Sequence, residues 1–362
     1  MPIKYRTFQD GDEPGIDKLF HSAFCKTRFC QPRTLEFWDW KYKKRPPRFI
    51  PEGIMLAEKN GIIVGSVIVT FHKMRFGDHE FLFGGIDDVA TCPILEKQGI
   101  ARNLMERAIE FTKNYGAEGS VLMADPRGHA RRLYKKLGYI YKTYYSLFLK
   151  IINPLKFRNE ILPLFPFFPL FYLLKLKAKR RKKVKNFQFE IQKGEQLEFI
   201  KKINEHNKNF IGGNVYDKNY WHWFKVNRPK RDKGINLTIK RGQNLIGGGT
   251  ILKSYTLILK YYLSSYVLAD FFIESEFRID DIGHSLLNKL EAIAAMESPV
   301  MMAFVHDKHF QLTRLLKEKG YFSIKKADLE MILPISKDFI QIYDSLKNVK
   351  KAWLPPLEQA GF

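Results

Sequence analysis

The strongest constraint in this sequence is that it repeats. FWDWKYKKRPP at 37–47 returns as YWHWFKVNRPK at 220–230, so Trp38 matches Trp221, Trp40 matches Trp223 and Pro46 matches Pro229 at a spacing of 183. RLYKKLGYI at 132–140 returns as RLLKEKGYF at 314–322, and IDDVA at 86–90 falls on LADFF at 268–272, both at a spacing of 182. Near-constant spacing through two halves means one folding unit used twice. The 362 residues hold two domains of about 150 residues. We place them at 1–150 and 190–335, with 151–189 as connector and 336–362 as an extension ending KAWLPPLEQAGF.

Each half mixes strands and helices. IMLAEKNGIIVGSVIVT at 54–70 reads as two strands about the turn dipeptide Asn60-Gly61. EFLFGGIDDVATCP at 80–93 reads as a strand stopped by Pro93. From Gly99 to Tyr115, the apolar residues Ile100, Leu104, Ala108, Ile109 and Phe111 keep close to helical period, and Gly116 supplies the C-cap. SVLMA at 120–124 is a short buried strand. Asp125-Pro126 offers an N-cap and a first-turn proline to a helix over 127–137, closed by Gly138. YSLFLKI at 145–151 is a last strand.

Charge narrows the partners. Lys plus Arg is 61 against 38 Asp plus Glu, a net +23, which suggests something anionic. Eight of those charges sit in KLKAKRRKKVK at 175–185, directly after the proline-broken apolar run ILPLFPFFPLFYLLKL at 161–176. Three internal prolines oppose a straight helix there. The segment 161–185 fits peripheral contact with an anionic membrane, and it equally fits a linker packed on a lobe. One lysine cluster is weak evidence for nucleic acid, which is not expected as a partner. Cys25, Cys30 and Cys92 form no CxxC, and their odd number suits a reducing compartment. The first residues carry no apolar run, and no stretch of about 18 apolar residues occurs. The expected location is cytoplasmic, with 161–185 able to touch the inner membrane face. His306, Asp307 and His309 lack supporting ligands, so no metal site is expected. The oligomeric state is left open.

Two stretches of the first half carry a resemblance. DVATCPILEKQGIARNLMERAIEF at 88–111 and HARRLYKKLGY at 129–139 resemble motifs of the GNAT superfamily of acyl-CoA-dependent N-acyltransferases, and WDWKY at 38–42 resembles the start of its tandem members. The resemblance implies an α/β (α+β) fold: two GNAT-like lobes, each a mixed, mostly antiparallel sheet flanked by helices. It implies acetyl-CoA or another acyl-CoA as donor and a small-molecule amine as acceptor. Gln98, Gly99, Ile100, Ala101 and Arg102 stand where a strand hands over to a helix, with Lys97 just ahead. The first amides of a helix lack internal partners and, with the helix dipole, suit a pyrophosphate. The resemblance further implies that the strand at Val89, Ala90 and Thr91 splays from its neighbour and pairs with pantetheine. Glu96 departs from the family pattern, placing a carboxylate where Arg or Gln is usual.

The chemistry needs a neutral amine and a proton donor for the leaving thiolate. Tyr134 falls where the family often has its general acid. Asp87 and Asp88 are the candidates for the base, and strand alternation would send them to opposite faces. Between the copies, Gly99 becomes Asp281, Asp87 becomes Ala269 and Tyr134 becomes Leu316. The second lobe therefore reads as a degenerate copy that has lost coenzyme binding, and Asp87 is preferred over Asp88 because the second copy lacks it. Two other functions remain open: a Fem-like transferase using aminoacyl-tRNA, and a non-catalytic pseudo-acyltransferase at a membrane surface.

Overall fold

The computed structural model describes residues 2–24, 29–30, 34–46, 48–156, 187–192, 196–258, 261–274, 276, 279–346, 349 and 351–355. The apolar-basic segment at 161–185 lies outside the described residues, as does 356–362. No helix among the described residues is long and apolar enough to cross a membrane.

The first half runs β1 (Lys4–Thr7), α1 (Glu13–Phe24), β2 (Phe29–Cys30), α2 (Leu35–Trp38), β3 (Ile54–Lys59), β4 (Ile62–Phe76), β5 (His79–Thr91), α3 (Ile100–Asn114), β6 (Gly119–Ala124), α4 (Ala130–Lys136) and β7 (Ile140–Ile151). The second runs β8 (Gln188–Ile191), α5 (Leu197–Asn207), β9 (Gly212–Asn214), α6 (Lys218–Trp221), β10 (Gly234–Arg241), β11 (Asn244–Ile258), β12 (Tyr261–Ile273), α7 (His284–Ala295), β13 (Val300–His306), α8 (Phe310–Glu318), β14 (Phe322–Pro334) and α9 (Lys337–Leu346). From β3 to β7 and from β10 to β14 the element order is the same, which is the structural form of the sequence repeat.

The two expected sheets are one. The strands lie in the order β1-β3-β4-β5-β6-β14-β7-β13-β12-β11-β10-β8, with β2 beside β11 and β9 beside β4. Within each half the pairing is antiparallel except β5 with β6 and β12 with β13. The junction is an exchange. β7 leaves its own lobe to pair with β13, and β14 crosses back to pair with β6; β7 and β14 then pair with each other. Each lobe thus borrows the strand that covers its inner edge.

Helices cover both faces. On one face α3 and α4 bury Leu104, Met105, Ala108 and Tyr134 against β-strand residues such as Ile86, Leu122 and Met331. On the same face α7 and α8 pack Leu286, Leu290, Leu315 and Leu316 around Phe148 and Met301. Gly65 on β4 explains how close α3 sits: a Cβ there would meet Ile100 Cγ2 at 2.6 Å. On the opposite face α1 contributes Ile16 and Leu19, and α9 contributes Phe339. The tail belongs to this core, because Trp353 packs on Phe76 and the Ile211 amide donates to the Ala352 carbonyl at 3.0 Å.

The repeated WxW segments lock the lobes. Each continues a short helix into a π-helical turn, Asp39–Lys43 and His222–Val226, which the residue pattern does not announce. Trp40 and Trp223 stack at 5.2 Å. Trp40 Nε1 donates to the Trp223 carbonyl at 3.1 Å, and Trp223 Nε1 donates to the Trp40 carbonyl at 2.8 Å. Arg45 lies 4.8 Å over the Trp223 ring and Arg228 lies 4.5 Å over Trp40. Trp38 and Trp221 instead stay in their own lobes, against Phe8 and Phe199. Trp223→Ala removes a buried ring and the hydrogen bond its Nε1 donates to the Trp40 carbonyl, so we expect a loss of about 3–5 kcal/mol, read from urea unfolding. Leaving stability within 1 kcal/mol would contradict an interlobe lock.

Candidate active site at the strand splay of the first lobe

β5 is paired to β4 as far as Thr91, opposite Gly65, yet its pairing with β6 stops at Ile86 opposite Leu122. Past that rung β5 opens away from β6 and leaves one backbone edge of residues 87–91 unpaired by that neighbour. A β-bulge marks the start of the opening, where the register shifts between Ser66 and Ile68 of β4. Its bulged residue is Asp88, at φ +48°. The Val89 to Thr91 edge can accept an extended ligand as an added strand. Thr91 Oγ1, buried with no hydrogen-bond partner among the described residues, is an orphaned polar atom on that edge.

The turn into α3 completes the cleft. A 3-10 turn at Pro93–Leu95 leads to exposed Glu96, then Lys97 at φ +64°, exposed Gln98, and Gly99 at φ +80° as the helix N-cap. A Cβ at Gly99 would meet nothing within 4 Å, so this glycine serves the left-handed backbone and an open approach. The helix's first hydrogen bond runs from Asn103 N to Gly99 O at 3.0 Å, which leaves the amides ahead of it without helical partners. Side chains play a smaller part than residue type suggested. Ile100 is buried under the helix, Ala101 is half-buried, and Arg102 is exposed and paired with Glu106 at 2.8 Å. What faces the cleft is backbone, and it fits an anionic phosphate group.

The corresponding turn of the second lobe is built differently. Ile279–Gly283 forms a π-helical turn containing Asp280 and Asp281, and Gly283 at φ −60° precedes α7. Among the described residues, exposed Asp281 and no left-handed glycine stand where the first lobe offers helix-start amides.

Tyr134 sits in α4 on the face that α3 and α4 cover, buried beside Tyr139 with ring centres 6.1 Å apart. Burial pushes its hydroxyl above the usual tyrosine range, so the proton stays on at neutral pH. The helix carrying it starts at Ala130 rather than Arg127, because Asp125 Oδ1 accepts the Arg127 amide at 2.8 Å and holds residues 125–128 in a turn.

The aspartates correct the alternation argument. The bulge turns both toward consecutive residues of one π-helical turn. Asp87 pairs with Lys41 at 3.4 Å, their side chains 2% and 1% exposed. Asp88 Oδ2 accepts the Tyr42 hydroxyl at 2.8 Å. The preference for Asp87 also loses its ground, because the second lobe buries the same kind of pair. Lys225 meets Asp270 at 3.1 Å, both nearly inaccessible. Burial there pulls the lysine below its ordinary range, against the opposing pull of Asp270. A Lys–Asp pair shared by both lobes is a fold element. Lys41 and Lys225 lie inside the repeated WxW stretch, and only their charge amid aromatics could have marked them in the sequence.

One carboxylate near the cleft comes from the other half. β6 ends at Ala124 opposite Leu329 of β14, so Asp328 is the first β14 residue past the end of β6. Nothing in KKADLE at 325–330 marks this residue; only the strand exchange brings it here.

The sequence pattern of the acetyltransferase (GNAT) domain family matches residues 4–141. The solved structures agree at the level of fold and extend the likeness to the whole chain. A GCN5-related N-acetyltransferase from Anabaena variabilis ATCC 29413 aligns over 91% of this chain and 72% of its own, with TM-score 0.60 and 11% identity. Saccharomyces cerevisiae N-myristoyltransferase, with bound myristoyl-CoA, aligns over 92% of this chain and 79% of its own, with TM-score 0.66 and 10% identity. No curated protein sequence matches the chain. The matched stretch runs from β1 through α4 and stops just inside β7, so β14 lies outside it.

Asp87→Ala would strand the Lys41 ammonium in the core, and we expect about 3–5 kcal/mol of destabilisation. A Lys41→Met/Asp87→Leu double variant should recover most of that loss in urea unfolding. Wild-type stability in Asp87→Ala would show the pair to be dispensable.

Proposed function

We propose that the protein is an N-acyltransferase that moves an acyl group from acyl-CoA to a primary amine, using the cleft of its first lobe. The observation that carries this reading is the pairing of an opened β5 edge with a glycine-capped helix start, present in the first lobe and replaced by a π-turn with two aspartates in the second. The amides ahead of α3 and exposed Lys97 would hold the pyrophosphate, with Gln98, Gly99, Ile100, Ala101 and Arg102 framing it. Backbone of Val89, Ala90 and Thr91 would pair with pantetheine. The second lobe acts as scaffold and as a wall of the acceptor site.

The chemistry assigned to the chain is short. The amine nitrogen forms a C–N bond to the thioester carbonyl, the C–S bond breaks, and the sulfur leaves with a proton as coenzyme A thiol. Tyr134, kept protonated by burial, would supply that proton from α4. The glycine-capped turn favours coenzyme A over aminoacyl-tRNA as donor. Acyl length is open between acetyl and longer chains, since the fold neighbours include an N-acetyltransferase and a structure carrying myristoyl-CoA.

Thermal shift with acetyl-CoA, longer acyl-CoAs and free coenzyme A tests donor and length together, because a ligand of the native state raises Tm. Gly99→Asp, at a left-handed position facing the phosphate site, should abolish acyl-CoA binding in calorimetry. Gly99→Ala should keep measurable binding at a cost of about 1–2 kcal/mol in stability. Unchanged affinity in Gly99→Asp would sink the assignment of this turn.

A further inference from the structure

We infer that Asp328, delivered by the second half of the chain, is the group that takes the proton from the acceptor amine. The inference rests on the acyl-CoA reading above and adds the base, which neither Asp87 nor Asp88 provides from its hydrogen-bonded or ion-paired position.

The strand exchange fixes where Asp328 stands. β14 covers β6 from Pro334 back to Leu329, and beyond Ala124 there is no more β6. The stretch of β14 starting at Asp328 therefore lies along the gap that opens between β5 and the end of β6. Neighbouring strands are about 4.8 Å apart, so β5 runs about 10 Å from β14 where it still pairs with β6, and the gap widens from there towards Asp328. On its other side Asp328 is opposite Tyr145 of β7, and Tyr145 is opposite His306 of β13. β13 of the other lobe ends at this rung, and β6 ends at the neighbouring one. The next β14 residue, Leu329, is in the core under α3 and α4 together with Tyr134. Alternation sends Asp328 to the opposite face, with Glu330. A thioester threaded through the gap would have Tyr134 on one side of the sheet and Asp328 on the other. That arrangement separates the proton donor from the proton acceptor across the reacting carbon.

The surroundings keep this carboxyl from being a fixed anion. Its Oδ1 accepts the Leu329 amide at 3.0 Å, and among the described residues no cation pairs with it. The ionisable groups around it are Glu330 on its own strand, Asp125 in the turn after β6, Tyr145 on β7 and His306 on β13. Glu330 takes the Tyr145 hydroxyl, and Tyr145 and His306 rings are 6.1 Å apart. Lys326, at φ +50° in the bulge ahead of Asp328, lies over the Tyr144 ring instead. Burial first, then the charges of Asp125 and Glu330, raise the Asp328 carboxyl to about 7, against the opposing Leu329 hydrogen bond. A base with that affinity matches proton removal from an amine near neutrality better than an ordinary aspartate.

The step balances without another reagent. An N–H proton of the amine passes to the Asp328 carboxylate as the nitrogen lone pair forms the C–N bond. The C–S electron pair leaves with sulfur, which is protonated from the Tyr134 side, and the two side chains return to their starting states through solvent.

The test compares Asp328→Asn and Asp328→Glu with wild type, using acetyl-CoA or myristoyl-CoA as donor and ethanolamine as the probe amine, and following thiol release. We expect Asp328→Asn to lower kcat by about 10²-fold or more, to lose the rising limb of the pH profile near 7, and to bind acyl-CoA within twofold of wild type by calorimetry. Asp328→Glu should restore part of kcat. A stability readout separates positioning from folding. Because the folded carboxyl binds its proton more tightly than the unfolded one, wild type loses stability as pH rises from about 4 to 7, and Asp328→Asn should not. Wild-type kcat and pH profile in Asp328→Asn, with acyl-CoA affinity intact, overturns the role of Asp328 alone. Absence of acyl-CoA affinity in wild type overturns the acyltransferase reading and this base with it.

Discussion

The antiparallel pairing of β7 with β14 is the interaction on which the molecule depends. Each of these strands closes the sheet of the lobe it does not belong to, so hydrogen bonds that would normally be local become long-range. Remove the exchange and both β6 and β13 become uncovered edges, with unpaired amides and carbonyls that water or another chain would have to satisfy. The continuous sheet and the shared core around Tyr145 and Ile332 both follow from it. The tryptophan clasp works on one face of that seam. Stack, reciprocal hydrogen bonds and crossed arginines give a two-fold contact that a repeated sequence can make with itself.

Much of the architecture was legible because it is written locally. The strands about Asn60-Gly61, the helix from Ile100 and the strand at 120–124 follow from turn dipeptides, periodicity and caps, and they appear close to their expected limits, except that β4 runs six residues past 70 to Phe76. The helix start at Gly99 was legible for the same reason. Left-handed glycine before an amphipathic run has a local cause. The repeat itself predicted that one unit is built twice, and the element order from β10 to β14 repeats that from β3 to β7.

What was not legible depends on pairing between distant segments. Sequence cannot show that β14 enters the other lobe, because its residues suit either sheet equally. Nor does it show the bulge at Asp88, which makes two adjacent carboxylates face one π-helical turn. Strict alternation was a sound rule applied to a strand that breaks it. The comparison of copies misled at Asp87 for a related reason. Matching positions at a constant spacing of 182 hid the fact that Lys225 and Asp270, at spacings of 184 and 183 from Lys41 and Asp87, rebuild the same Lys–Asp ion pair.

The exchange has a consequence for how such a chain is made. On a ribosome, residues through β7 emerge long before β14, and the first lobe meanwhile presents β6 as a bare edge and a β7 with no partner for either side. The hydrogen bond that joins Tyr145 to Glu330 spans 185 residues of sequence. Contacts of that range form late and slowly. The nascent first half is therefore the aggregation-prone species of this protein, and its safe completion depends on strands β13 and β14 of the second half.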